Sequence, residues 1–243
     1  MEHLIIFLAL VFFVAFIYAS VGHGGASGYL ALMALFGFAP VVMRPTALML
    51  NLVVSLISFV YFLRGNHFRI RIFLPLALAS IPMSFLGGMT HLDDNLYKKI
   101  LGTLLLVPVA RFLFMPDIQV KEDRQPSIPF SLLIGGSIGF LSGVIGIGGG
   151  ILLSPVILFL RWTDQKQTAA ISALFIFVNS IAGLMGQMMS GITLSGEMFG
   201  LTAAVLTGAL LGAWLGAFKF PQKAMKMILA CVLAAASVKL LLI

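Results

Sequence analysis

Charged residues are scarce in this sequence, and their scarcity argues against a soluble protein. Only 9% of the 243 residues are Asp, Glu, Lys or Arg, while 60% are hydrophobic and the mean hydropathy is +1.12. Soluble domains are about one quarter charged. Several apolar runs approach the ~20 residues that cross a bilayer as a helix, and they lack the alternation of barrel strands. The sequence therefore predicts an all-α integral membrane protein.

Cysteine and catalytic motifs are also nearly absent. The single cysteine, Cys231, excludes a disulfide framework or a thiolate metal cluster within one chain. The sequence has no His-Glu-x-x-His motif and no serine with a neighbouring general base, so we predict neither an enzyme nor a metal or cofactor site. None of the 8 acidic residues lies in the middle of an apolar run. A proton or sodium site built on a carboxylate is therefore not expected.

The positive charge of the chain is confined to the segments between apolar runs. The net charge is +7, and the strongest basic cluster is residues 64–71. Basic loops of this kind follow the positive-inside rule of membrane proteins, so nucleic acid is not an expected partner. The expected partners are membrane lipid and a small substrate, and a homo-oligomer is left open.

Glycine, in contrast, is concentrated in one stretch of otherwise apolar sequence. Residues 143–155 contain Gly146, Gly148, Gly149 and Gly150. Glycine carries the largest backbone entropy cost in a helix, so a helix should break there. Lipid cannot satisfy the backbone groups that a break leaves unpaired, and breaks survive only where they are buried in protein or line a cavity. This break is a candidate site.

The two halves of the chain follow one plan of a long apolar arm, a glycine break, a short arm and three spans. The first half predicts helices over residues 4–20, 26–37, 45–63, 72–90 and 100–114. The second half predicts helices over residues 129–147, 150–162, 168–190, 197–218 and 223–243. We interpret residues 1–243 as a single transmembrane domain, with repeat one at 1–114, a cytoplasmic linker at 115–128 and repeat two at 129–243.

The charges of the loops favour inverted-topology repeats. If each long and short arm forms a hairpin that returns to its starting side, eleven of the 15 lysines and arginines fall on one side. If each pair of arms makes one continuous span, the 15 charges split seven to eight. The positive-inside rule therefore favours hairpins. Each half consists of a broken-helix hairpin, which returns to its starting side, and three transmembrane helices. The chain therefore crosses the membrane an odd number of times per half, so the halves should have opposite orientation, with both termini outside the cytoplasm.

Three motifs carry a family resemblance. They are Gly143-x-x-Gly146-x-Gly148-Gly149-Gly150 followed by Pro155, the degenerate copy Gly22-His23-Gly24-Gly25, and Gly65-Asn66 after the next span. With them the chain resembles the sulfite exporter TauE/SafE family over essentially its whole length. In the first copy His23 interrupts the glycines, and Leu30 stands where the second copy has Pro155. The resemblance implies a secondary transporter of the cell inner membrane for small sulfur-containing anions such as sulfite or organosulfonates.

Independently of this resemblance, the physical chemistry of the two breaks favours binding of an anion. Each short arm starts a helix at a break, so its first N–H groups are free and the positive end of its dipole lies there. The candidate substrate-binding residues near the breaks are Ser20, His23, Gly24, Gly25, Ser27, Thr46 and Asn51 in the first half and Ser142, Gly148, Gly149, Gly150, Ser172 and Asn179 in the second, with Ser154 as a further donor. Glycine and serine also serve close helix packing, and that interpretation stays open.

His23 and the basic residues are expected to differ in their depth in the membrane. His23 is the one ionisable residue expected deep in an apolar stretch, either as a protonatable group or as a neutral imidazole bonded to freed carbonyls. Arg44 and the other basic residues are expected at span ends or in loops. We therefore expect backbone N–H groups and small side chains to hold the substrate. An anion channel, or an uptake permease for another inorganic or carboxylate anion, is the alternative.

Overall fold

The computed structural model describes residues 2–20, 23–114, 126–192, 196–216 and 222–242, and in this part of the chain it has helices and no strand. The described residues form ten helices. These are α1 Glu2–Ser20, α2 Ala26–Leu35, α3 Pro40–Arg64, α4 Ile70–Met89, α5 Asp94–Phe114, α6 Ile128–Ile145, α7 Gly150–Phe159, α8 Gln165–Met189, α9 Gly196–Gly216 and α10 Gln222–Leu242. Every predicted helix has its counterpart, and residues 115–125 of the predicted linker lie outside the described residues.

The starts of α3, α5 and α8 lie furthest from the sequence prediction, because first turns that are polar or contain proline resemble loops. α3 begins at Pro40 rather than at residue 45, with proline in its first turn, where the missing N–H costs nothing. α5 begins at Asp94 rather than at residue 100, and the Asp93 carboxylate accepts a hydrogen bond from the Asn95 N–H at 3.0 Å. α8 begins at Gln165 behind the N-cap Asp164. Acidic residues are favourable at helix N-termini.

Four of these helices are long and apolar enough to cross a membrane: α3, α4, α6 and α8. α3 and α8 have 25 residues each, about 37 Å of helix, which exceeds a hydrocarbon core of about 30 Å. α2 and α7 have 10 residues each, about 15 Å, and reach only halfway. The chain is a multi-pass membrane protein with two half-length helices.

Each half-length helix folds back along the helix that precedes it. In the first half the Phe7 ring of α1 lies 5.1 Å from the Phe36 ring and 5.2 Å from the Phe38 ring, both just beyond α2. In the second half the Phe130 ring near the start of α6 lies 6.0 Å from the Trp162 ring just beyond α7. The chain therefore turns at each glycine break and returns, so α1–α2 and α6–α7 are hairpins.

The main contacts between helices recur when each helix is replaced by its counterpart in the other half. The counterparts are α1 and α6, α3 and α8, α4 and α9, and α5 and α10. α4 packs on α6, and α9 packs on α1; α4 packs on α8, and α9 packs on α3. The exchange leaves the remaining large contacts, α3 with α8 and α5 with α10, unchanged. Because the first hairpin packs on the second half and the second hairpin on the first, the two breaks are brought to the middle of the molecule.

Glycines let α4 and α6 approach each other closely. A Cβ added at Gly135, Gly139 or Gly143 of α6 would overlap the backbone carbonyl of α4 that each one faces. The carbonyls belong in the same order to Leu76, Ser80 and Ser84. Both sets of residue numbers rise together, so the two helices run parallel. Small residues allow this approach in membrane helices, where packing and not the hydrophobic effect drives association.

We expect Gly139→Ala to destabilise the protein and Gly136→Ala, three residues earlier in the same helix, to leave its stability unchanged or slightly raised. The methyl group at 139 meets the Ser80 carbonyl and backbone, and overpacking of this kind costs about 1–3 kcal/mol. The methyl group at 136 meets Met83 and Ala79 at 3.6 and 3.7 Å, an ordinary contact. Thermal unfolding of the two purified variants measures the difference, and equal midpoints would contradict the packing described here.

Candidate functional site

The two glycine breaks meet near the centres of α3 and α8. A Cβ built on Gly24 would lie 2.7 Å from Asn51 Oδ1 and 3.0 Å from Ile176 Cγ2. A Cβ built on Gly148 would lie 2.5 Å from Asn51 Nδ2 and 2.9 Å from the same Ile176 carbon. Asn51 lies near the middle of α3, and Ile176 near the middle of α8. The breaks therefore face each other at about half the depth of the two long helices.

The second break has a backbone that only glycine adopts readily. Gly146, Gly148 and Gly149 have φ values of +86°, +72° and +78°, in the left-handed region that a Cβ disfavours. α6 ends where the Gly146 N–H donates to the Ser142 carbonyl at 2.8 Å, and α7 begins at Gly150. The predicted break of the helix at this motif is confirmed.

Asn51 joins the two breaks through its side-chain amide. Its Oδ1 accepts a hydrogen bond from the Ala26 N–H at the start of α2, at 3.0 Å. Its Nδ2 donates to the Ile147 carbonyl inside the second break, at 3.3 Å. Asn51 is completely buried, so neither backbone group has water as a substitute. One side chain of α3 thus satisfies backbone groups that both broken helices leave exposed.

A second link between the halves runs from His23 through two serine hydroxyls. His23 Nε2 lies 2.8 Å from Ser154 Oγ, and Ser154 Oγ lies 2.7 Å from Ser172 Oγ. Ser154 donates its one hydrogen to the Gly150 carbonyl at 2.8 Å. A hydroxyl has one donor and two acceptor sites, so His23 Nε2–H and the Ser172 hydroxyl are then both donors to Ser154. The His23 ring therefore connects the first break to α7 in the second half.

Two buried hydroxyls at the second break have no hydrogen-bond partner among the described residues. Ser142 Oγ and Ser180 Oγ are in this state, and both side chains are completely buried. Ser142 Cβ lies 3.3 Å from the Cβ position of Gly149, and Ser180 Oγ lies 3.0 Å from that of Gly148. Buried polar atoms nearly always have a partner, so unpaired ones call for an explanation. These two hydroxyls are therefore candidate ligand contacts at the second break.

The first turn of α7 adds backbone donors at the same place. Its N-cap, Gly149, makes no side-chain capping bond in the described structure. The Leu152 and Leu153 N–H groups both donate to the Gly149 carbonyl, at 3.1 and 2.9 Å. The preceding N–H groups of the helix have no intrahelical acceptor, and they carry the positive end of the helix dipole. The second break thus presents donors from backbone and side chains together.

The described contacts of four other predicted site residues lie within their own helix or hairpin. The Ser20 hydroxyl donates to the Ile17 carbonyl at 2.7 Å, and the Thr46 hydroxyl donates to the Val42 carbonyl at 2.6 Å, each within its own helix. Ser27 Oγ lies 2.5 Å from the Tyr18 hydroxyl between α1 and α2. Gly25 lies against the ring of Tyr29 in its own hairpin. The Thr46 hydroxyl thus uses its one hydrogen within α3.

Asn179 faces α4 instead of the breaks. Its Nδ2 donates to Ser80 Oγ at 3.0 Å and to the Phe175 carbonyl at 2.8 Å. The Asn179 carbonyl accepts from Ser84 Oγ at 2.8 Å. Asn179 therefore ties α8 to α4, a different task from that of Asn51. The neighbouring residue, Ser180, reaches the break instead. Ser180 was not among the predicted site residues, and the one sign of its role was its position next to the candidate Asn179.

The expectation that Arg44 lies at the end of a span is wrong. α3 begins at Pro40, so Arg44 falls in its second turn and is only 6% exposed. The Arg44 backbone packs on the second break, 3.0 Å from the Cβ position of Gly146. The sequence was compatible with a start of α3 at Pro40, because proline is favourable in the first turn of a helix. Pro45, five residues later, gave the same signal. The premise that no fixed cation lies near the breaks therefore fails.

We expect protonation of His23 to strengthen anion binding, so that sulfate affinity falls about tenfold as the pH rises through the range where histidine loses its charge. Sulfate suits this test because its own charge is constant there. His23→Gln should remove the pH dependence, because the glutamine amide can still donate to Ser154 but cannot take up a proton. Calorimetric titration of both proteins at several pH values measures it. Identical pH profiles would leave His23 as a structural residue.

Comparison with known proteins agrees with this architecture. The family model for the sulfite exporter TauE/SafE family matches residues 7–240. The probable membrane transporter protein y4hK of Sinorhizobium fredii is 39% identical over 239 residues, which cover 96% of this chain and 97% of that protein. The probable membrane transporter protein YfcA of Escherichia coli K12 is 28% identical over 234 residues, 91% of this chain and 83% of that protein. No solved structure matches this chain.

The match is specific because it spans the helices and both breaks. A third relative is the probable membrane transporter protein YjnA of Bacillus subtilis. It is 25% identical in an alignment of 251 positions, gaps included, that covers 94% of this chain and 96% of that protein. The family and these names indicate a membrane transporter rather than an enzyme. With nearly the whole chain matched by the family model, this protein belongs to the sulfite exporter TauE/SafE family.

Proposed function

We propose that this protein is a secondary transporter that binds a small sulfur-containing anion, such as sulfite or an organosulfonate, between its two glycine breaks. The observation that carries the proposal is that Gly24 and Gly148, from opposite halves, flank the same two residues, Asn51 and Ile176. Binding sites of secondary transporters lie near mid-depth at the interface of two repeats, where broken helices end. This arrangement has the same elements.

The donors at the second break fit an oxyanion. The start of α7 contributes N–H groups and a dipole end worth about half an elementary charge. Ser142 and Ser180 contribute hydroxyls that no described group occupies. A sulfite or sulfonate group has three oxygens and can accept from several such donors at once. The Ala26 N–H at the first break is bonded to Asn51, so the second break supplies more of the binding.

Burial of the site favours a carrier over a channel. Ser142, Ser154, Ser172 and Asn51 are all completely buried. A pore would expose its lining to water, whereas an alternating-access carrier passes through a state in which its site is closed to both sides. The proposed mechanism is therefore a carrier, with a channel as the alternative.

We further propose that the halves are inverted-topology repeats in the cell inner membrane. The exchange of helix contacts between the halves and the charge of the loops support this. Both termini then lie outside the cytoplasm, and the linker 115–128 lies inside. Cysteine labelling at Ser127 in a protein with Cys231→Ser tests the orientation. Labelling from the outside would contradict it.

Flux measurements in proteoliposomes test the transport proposal. Purified protein should carry 35S-labelled sulfite or sulfoacetate with saturable kinetics, and unlabelled anion on the opposite side should accelerate uptake by counterflow. Matched carboxylates such as acetate and succinate serve as competitors that probe the alternative substrate class. Current that follows the membrane voltage without saturation would indicate a channel. Saturable flux of carboxylates without flux of sulfur anions would contradict the proposed substrate class.

A further inference from the structure

We propose that Arg44 is a charged binding station for the transported anion on the side of the membrane where α3 begins. The proposal rests on the transport function proposed above and adds a residue to it. Arg44 precedes Asn51 by seven residues, about 10 Å along α3. Its backbone contacts Gly146 at the edge of the second break. The guanidinium therefore lies near the break but displaced from mid-depth toward the start of α3.

The guanidinium of Arg44 is poorly satisfied by the protein. Its Nη2 shares three carbonyl oxygens at long distances: 3.4 Å to Gly88, 3.3 Å to Thr90 and 3.4 Å to Gly143. Ordinary N–H···O bonds are near 2.9 Å. Its Nε is buried and has no hydrogen-bond partner among the described residues. Donors of a buried arginine thus remain for a ligand.

The charge of Arg44 is also not balanced by its described contacts. These are the three carbonyl oxygens and the ring of Tyr97, whose centroid is 6.0 Å from the guanidinium carbon. All of them carry partial charges only. An ionisable residue inside a membrane is costly and is normally kept for a function. An oxyanion with two oxygens in one plane matches the fork of Nε and Nη donors.

Capping of helix ends is the structural alternative, and Lys239 provides the comparison. α4 ends at Met89 and α6 at Ile145, so the carbonyls next to Arg44 belong to helix C-termini, where a cation is favourable. Lys239 Nζ caps the end of α2 at 3.0 Å from the Ala34 carbonyl and 2.9 Å from the Leu35 carbonyl. These are ordinary bond lengths. Capping explains Lys239 fully but leaves the buried Nε of Arg44 unused.

The station exists in one half of the molecule. Thr46 corresponds to Ser172 in the second half, so Arg44 corresponds to Ala170, which is buried and uncharged. An anion that arrives from the start of α3 meets a fixed positive charge before it reaches the breaks. An anion that arrives from the opposite side does not meet that charge first. The two directions of transport should therefore differ in their dependence on Arg44.

The test measures transport from both sides in Arg44→Gln, with Lys239→Gln as the control that removes a half-buried cation held by two ordinary capping bonds. Uptake of 35S-labelled sulfite and sulfoacetate is followed in right-side-out and inside-out vesicles. We expect Arg44→Gln to raise KM about 10- to 100-fold on the side where α3 begins, from the loss of a charge-assisted hydrogen bond, and to leave the other side within about twofold. Lys239→Gln should leave KM unchanged on both sides.

Arg44→Lys carries the test if the glutamine variant fails to fold. Lysine keeps the charge and can cap carbonyls as Lys239 does, but it lacks Nε–H, so we expect KM to rise several-fold on the same side only. An unchanged KM, or an equal change on both sides, would overturn the proposal while leaving transport intact. Wild-type vesicles that carry neither probe would instead overturn the proposed function, and this inference with it.

Discussion

Gly149→Val abolishes anion binding in our expectation, lowering the affinity for sulfite or sulfoacetate by more than about 100-fold. Gly149 has φ +78°, where a residue with a Cβ costs about 1–2 kcal/mol and a β-branched residue more. Its Cβ would lie 2.8 Å from Phe175 Cε1 and 3.1 Å from Ile138 Cγ2. The start of α7 must then move, and its N–H groups no longer point at the anion.

Gly37→Val separates backbone strain from damage to the site. Gly37 has the same backbone conformation, with φ +79°, and nothing within 4 Å of its Cβ position. This control variant should lose a similar amount of stability from strain but keep the wild-type affinity. Calorimetric titration of both purified proteins, after size-exclusion chromatography to confirm folding, measures the difference. A folded Gly149→Val that binds the wild-type ligand with unchanged affinity would refute the role of the break.

Asn51→Leu should have the second largest effect, because one substitution releases both breaks. The Ala26 N–H and the Ile147 carbonyl lose their partner in a fully buried place, at a cost of about 1–3 kcal/mol each. Leucine has a similar size, so the loss is mainly of hydrogen bonds and not of volume. We expect a lower unfolding temperature together with loss of anion binding, since the two breaks are no longer held against each other.

Asn179→Leu is the matched control for this change. It also lies near the middle of its helix, α8, but its amide bonds to Ser80 and to its own helix, and its Oδ1 already has no partner among the described residues. We expect it to lower stability without abolishing binding. Asn51→Asp refines the result, because it keeps the acceptor for Ala26 but places a negative charge beside the site. Equal loss of binding in Asn51→Leu and Asn179→Leu would remove the special position of Asn51.

The sequence predicted the breaks and the helices because both are local properties. Apolar runs define where helices lie, and the cluster of glycines predicted the break, where Gly146, Gly148 and Gly149 have positive φ. The starts of α3 and α5 were misplaced because polar or proline-containing first turns look like loops. The loss of α3's first turn from the prediction is also what concealed Arg44. Local errors at a helix start therefore became errors about the site.

Contacts between the halves could not be predicted from the sequence, because they depend on how the hairpins pack. Asn51 and Asn179 were both candidates for the site, yet of the two amides only that of Asn51 bonds to the breaks in the described structure. His23 was expected either to take up a proton or to bond to freed carbonyls, and nothing in its local sequence indicated its bond to Ser154 of the other half. Ser180 had no feature beyond its position beside Asn179. The choice among such residues is made by tertiary packing and not by local pattern.

Diffraction from crystals soaked in selenate tests the central claim most directly, because selenate has the shape of sulfate and selenium scatters anomalously. The account predicts one strong anomalous peak between the two breaks, within hydrogen-bond distance of the Ser142 or Ser180 hydroxyl and of the first N–H groups of α7. The same soak of Gly149→Val crystals should lose that peak. Selenate bound at the basic loop 64–71, with no density between Gly24 and Gly148, would contradict it.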